Sequence, residues 1–180
     1  LKARKTEQTE IRFISMETAQ ANIRLEFGSV DYDDAISTGV QLYNDYFSGG
    51  MAGIVFQELR EARALAYSAG ASYIEGTRLY DQNLMVGAIQ TQSDKTVEAT
   101  EAFIELLDNL PKSVERFSTT RNSLINRYRT GKTGFRGIIG AVRSWERRGL
   151  DVDPRVKRFA ALKESSLNDI LAFHTRYIRN

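Results

Sequence analysis

Residues 21–27, ANIRLEF, alternate without exception. Ala21, Ile23, Leu25 and Phe27 form one set, and Asn22, Arg24 and Glu26 the other. A period of two places alternate side chains on opposite faces, so this stretch predicts a strand with one face buried and one wet. The period then changes. After a turn, GSVDYDD, in which Asp33 or Asp34 is placed to cap a helix, Ile36, Val40, Tyr43 and Phe47 recur at helical spacing. A chain that writes one strand and then a helix cannot form an all-helical bundle or an all-β sandwich, and the rest of the order narrows the choice further.

The first helix stops at Ser48-Gly49-Gly50, and a second is expected from about 52 to 63. Two strand-like segments follow, 66–74 and 82–91, joined by the seven residues EGTRLYD as a hairpin. Ser93 or Asp94 caps another helix, with Val97, Phe103, Ile104 and Leu107 as its apolar positions, and Pro111 breaks it. Beyond Ser113 only helices are predicted, over 113–130, 135–148, 154–163 and 166–178. Phe135, Ile138, Ile139, Val142 and Trp145 give the second of these an apolar stripe expected to be buried. The order is not the alternation of a parallel βαβ sheet. It predicts an α+β fold, with a largely antiparallel sheet, helices packed on one side and a helical C-terminal tail.

The composition fits one domain. The chain has 180 residues, 42% hydrophobic and 27% charged, enough to bury a core. Residues 1–18 are expected as an N-terminal extension, 19–111 as sheet plus helices and 112–180 as the helical tail. No apolar run approaches a membrane span, and LKARKTEQTE has no hydrophobic signal region. It also lacks an initiator Met, so the chain is expected to be a piece of a longer protein. There is no cysteine, which excludes disulfides and thiolate metal sites. Net charge is +2, but residues 1–111 hold 9 Lys+Arg against 17 Asp+Glu, and residues 112–180 hold 16 against 6. The basic tail is compatible with nucleic acid, an anionic surface, an acidic partner, or simply a solvated face.

Three motif-like strings do not carry function. Gly131-Lys132-Thr133 looks like the end of a phosphate-binding loop, but the Gly such a loop needs is replaced by Asn126 and no strand precedes it. Gly137-Ile138-Ile139-Gly140 resembles an RNA-clamping GXXG loop, yet its isoleucines continue the apolar stripe of a helix. His174 is the one histidine, where a catalytic zinc site usually draws on two or three, and it is placed to bond free carbonyls near the end of the last helix. No G-x-S-x-G elbow is present, and the carboxylates pick out no acid/base pair.

One stretch is left, residues 58–68, ELREARALAYS, which puts Arg60 and Tyr67 on either side of a helix-to-strand corner. Read from the residues alone, Arg60 can complement a helix C-terminal dipole and Tyr67 can pack at a sheet end. The longer segment 44–68, NDYFSGGMAGIVFQELREARALAYS, resembles the C-terminal half-domain of the insulinase, pitrilysin and mitochondrial processing peptidase family of zinc metallopeptidases. The matching features are the helix ending in a double Gly, the short loop, Phe56-Gln57-Glu58-Leu59-Arg60-Glu61, and Ala64-Leu65-Ala66-Tyr67-Ser68. The element order agrees from about 20 to 178. Two departures are Gly53-Ile54-Val55, where the family commonly has Ser-Arg-Leu, and Ala64, where Gly is usual. The chain ends at Tyr177-Ile178-Arg179-Asn180, where the family usually adds a closing strand, so an open sheet edge and self-association through it are expected.

The resemblance implies a half-domain without the H-x-x-E-H zinc motif, inactive by itself, with zinc held by a catalytic partner half in the same chain or another subunit. It implies that Arg60 and Tyr67 contact peptide substrate and the transition state. No metal, cofactor, nucleic acid or membrane is expected to bind this chain. Two other readings remain open at this level: a non-catalytic peptidase-like subunit that holds a protein partner, and a basic nucleic-acid-binding module.

Overall fold

The computed structural model describes residues 8–179. Strand β1 (Gln20–Asp31) leads through a 3-10 turn into α1 (Ser37–Ser48). A short α2 (Ile54–Phe56) continues directly as a π-helical turn, Gln57–Ala62. The hairpin β2 (Ser68–Ile74) and β3 (Gln82–Gln92) follows, then α3 (Thr96–Asp108), α4 (Val114–Thr130), α5 (Ile138–Arg147), α6 (Pro154–Glu164) and α7 (Leu167–Tyr177). The expected α+β architecture is present.

The sheet is antiparallel in the order β1-β3-β2. Its register aligns Ile23, Ile89 and Ala69, and likewise Phe27, Met85 and Tyr73, so the apolar set of each strand lies on one face. That face carries the core. Met85, Ile89 and Tyr73 are buried there against Phe103 of α3 and Phe173 of α7. Gly87 is required at the centre, because a Cβ would meet the Phe103 ring at 2.4 Å. The absent side chain lets α3 settle directly on β3. On the other face Arg24 and Glu26 are exposed, as the alternation predicts. Helices α1, α4 and α6 pack on one another behind the sheet, with Tyr43, Tyr46, Phe47 and Leu42 fully buried.

Local chemistry sets the helix starts. The Asp33 carboxylate accepts from Ala35 N at 2.9 Å, so Asp33 rather than Asp34 is the cap. Ser113 Oγ accepts from Arg116 N, and Asp153 from Arg155 N just before Pro154 at the first helical position. Ser166 and Asp169 form a reciprocal capping box at α7.

Four expectations need correction. Strand β1 runs on through Gly28 to Asp31, past the expected turn, with an irregular register between Gly28 and Asp31. β2 starts at Ser68, later than the expected 66. Val97 and Ile104 of α3 face solvent (68% and 42% exposed), and the buried face is Ala99, Ala102, Phe103, Leu106 and Leu107. Small alanines lie against the sheet there, and a count of large apolar residues overlooks them. The apolar stripe of α5 is not buried: Phe135 is 77% exposed and Ile139 68%. Amphipathic periodicity reports that a helix has an apolar face, not that something covers it.

The two sheet edges differ. On β2 the outward N–H and C=O of Tyr73 bond the side chain of Asn44, and Ala71 N donates to Ser48 Oγ. Helix α1 thus caps that edge. Among the described residues no strand pairs with the outer side of β1.

Candidate functional site

The corner between α2 and β2 is built by three anchors. Leu59, fully buried, pins the π turn to the core. Leu65 N donates back to Leu59 O at 2.8 Å, closing the helix across six residues. Tyr67 N then donates to Gln90 O at 2.8 Å, and Thr91 Oγ donates to Leu65 O at 2.5 Å, tying the exit to β3. The reversal places Ala64 at φ +49°, in the left-handed region where a Cβ is unfavourable. Glycine, which the resemblance leads one to expect at this position, adopts that angle without a Cβ penalty.

Arg60 lies in the last turn of the π segment and Tyr67 immediately before β2, and the corner brings them together. The Arg60 guanidinium carbon is 5.9 Å from the centre of the Tyr67 ring and 4.9 Å from that of Phe56. Its Nε is 3.7 Å from Glu61 Oε1, a loose solvent-exposed pair that contributes little to stability. Tyr67 is 70% exposed, so its ring is not packed into the end of the sheet. A guanidinium with several donors and a phenol with one therefore project from one hydrogen-bonded corner into solvent. Phe56, not singled out at the sequence level, is the nearer ring; the signal available for it was its i, i+4 spacing to Arg60. The π turn also went unread, since no residue pattern distinguishes it from an α-helix here. Such turns are frequent at functional sites.

His174 is elsewhere and is buried at 4% exposure. Its Nε2 is 2.7 Å from Leu107 O, so Nε2 carries the proton and donates to a carbonyl in the last turn of α3. The expectation of bonding near its own helix end is corrected: the partner carbonyl belongs to another helix. Burial holds the imidazole below its ordinary pKa, with the Leu107 carbonyl opposing. Among the described residues no group of His, Cys, Asp and Glu is placed to hold a metal ion. Gly131-Lys132-Thr133 forms the turn that follows α4. No helix among the described residues is long and apolar enough to cross a membrane.

Known proteins share this fold. A peptidase M16 inactive domain from Pseudomonas fluorescens superposes with a TM-score of 0.72 at 19% identity, over 89% of this chain and 38% of that one. A protease from Helicobacter pylori gives 0.71 at 11%, over 90% and 39%. The chain thus spans well under half the length of those two proteins. The inactive peptidase domain of a protein named as a zinc protease, from Bordetella parapertussis, gives 0.68 at 14%, over 92% and 91%. No curated protein sequence matches the chain. The sequence model of the peptidase M16 inactive domain matches residues 2–124, more than half of the chain, and the chain belongs to that family.

Proposed function

We propose that this domain is the substrate-holding, zinc-free half of a zinc metalloendopeptidase, and that Arg60 and Tyr67 are its contacts to the peptide. The observation that carries this is the corner itself, where a guanidinium and a phenol share one exposed, rigidly anchored edge. Arg60 offers several fixed N–H donors to the carbonyls of a bound peptide. Tyr67 offers one O–H donor to the oxygen on which negative charge develops as a peptide carbonyl is attacked. Zinc and the water it activates belong to the partner half in this reading, and this chain binds and orients substrate.

The test is kinetic and uses the assembled enzyme. Tyr67→Phe keeps the ring beside Arg60 and removes the donor. It is expected to lower kcat far more than it raises KM, by about 2–4 kcal/mol in transition-state terms. Arg60→Ala is expected to raise KM as well. Both variants should melt like the parent, because both side chains face solvent. Unchanged kcat in Tyr67→Phe would remove Tyr67 from the site. An assembled protein that is inactive but still captures a partner would favour a peptidase-like scaffold.

A further inference from the structure

Ile138, the first residue of α5, borders a concavity. A cleft of ≈ 1220 Å³ lies between Ile138, the α4–α5 turn and helices α1, α4 and α6. Its wall is apolar where Leu124, Val156 and Phe159 meet Ile138, and Tyr128 stacks on Phe159 with ring centres 5.8 Å apart. Its charged lining is Arg127, Lys132, Arg155 and Arg158, with the Asp45 carboxylate among them. Ile138 and Val156 are 49% and 76% exposed, and no side chain of α5 is buried. The helix is held at its C-terminal end, where Leu79 N donates to Arg147 O and Arg148 Nε donates to Gly76 O. None of residues 56–68 lines the cleft.

We infer that this cleft docks an acidic amphipathic helix of a partner polypeptide. Charge supports it: residues 127–158 hold ten Lys+Arg against three Asp+Glu. Of the lining cations, Lys132 forms no salt bridge with any described residue, while Arg127 pairs with Asp45, Arg155 with Asp153 and Arg158 with Asp34. Size supports it too. The volume exceeds the range of about 300–1,000 Å³ usual for a small-molecule pocket. Shape argues against a lipid surface, since Ile138, Val156 and Phe159 line a concave wall and a bilayer is flat. Apolar side chains of the guest would meet that wall, and its Asp and Glu would meet the cationic rim.

The experiment uses the full chain and a labelled, helix-stapled three-turn peptide with Leu at i, i+3, i+4 and i+7 and Glu elsewhere. Its partner probe has Lys in place of Glu. Fluorescence anisotropy should show saturable binding of the acidic peptide, weakening as salt rises, and at least tenfold weaker binding of the Lys peptide. Ile138→Asp/Val156→Asp should lose the acidic peptide by tenfold or more while melting like the parent, since both positions are exposed. The inference is overturned if the acidic peptide does not bind, if both peptides bind alike, or if the double variant binds unchanged. It is equally overturned if phosphatidylglycerol vesicles capture the chain while the peptide does not. Concentration-dependent self-association abolished by the same double variant would assign the face to a second copy instead.

Discussion

Ala64 is an L-residue held at φ +49° by the hydrogen bonds on either side of the corner. Its side chain is exposed, so little packing is at stake. Glycine relieves the left-handed conformation but is more flexible when unfolded, and the two effects partly offset. Ala64→Gly is expected to raise unfolding free energy by about 0.5–1 kcal/mol, read as a higher urea midpoint with an unchanged slope. A lower midpoint would mean the corner is not strained at that residue. His174 makes a pH prediction. Its folded pKa is depressed by burial, while the unfolded value is about 6.5. The unfolded chain therefore binds the proton more readily, and stability rises with pH across the interval between the two values. The neutral ring's contribution is complete above about 6.5 and is lost as pH falls through the folded value. His174→Gln keeps an N–H donor for Leu107 O and does not titrate. Its denaturation midpoint should fall less than the parent's between pH 7.5 and pH 5. Parallel losses would show that another group governs the acid limb.

At the scale of elements, the β2 edge is where a helix substitutes for a strand. Asn44 Oδ1 accepts from Tyr73 N at 2.7 Å, and Asn44 Nδ2 donates to Tyr73 O at 2.9 Å. One amide thereby satisfies both outward backbone groups of a residue that is 1% exposed. Asn44→Ala leaves both without a partner, at a cost of about 2–3 kcal/mol. Hydrogen exchange at the Tyr73 amide should speed up in step with that loss. Slow exchange with full stability would mean the amide is not what protects this edge. The helix period of α1 was evident from Val40, Tyr43 and Phe47, yet the role of Asn44 was not. A polar residue on a helix shows no sign, in sequence, of the strand edge it will meet.

Across the whole molecule, Arg158 of α6 fastens the helical tail to the start of α1. Its guanidinium donates to the Asp34 carboxylate, to Tyr32 Oη at 3.4 Å and to Ser37 Oγ at 3.0 Å. These contacts span more than 120 residues, and Arg158 is 8% exposed. Removing one partner of such a buried pair strands the other charge. Arg158→Leu is expected to cost about 3–5 kcal/mol. Arg63→Leu, which breaks an exposed pair with Glu105, should cost no more than about 1 kcal/mol. Chemical denaturation of the two variants side by side checks the difference, and similar losses would refute the ranking. Arg158→Leu/Asp34→Leu should recover part of the larger loss, because no unpaired charge is left behind.

Period and punctuation by themselves determined the strand-helix-hairpin-helix order and the α+β class. ANIRLEF presents one apolar face to a core, and Gly49-Gly50 and Pro111 follow the ends of the helices before them. The string from Phe56 to Ser68 likewise marked the family and the corner on which Arg60 and Tyr67 meet. Tertiary structure decided what local pattern does not encode. It set which apolar faces are covered, so that α3 turns alanines to the sheet while α5 keeps its stripe in the open. It chose Leu107 O for His174, Asp34 for Arg158 and Tyr73 for Asn44. Burial and hydrogen bonding depend on residues distant in the chain, and those neighbours exist only once the fold has brought them together.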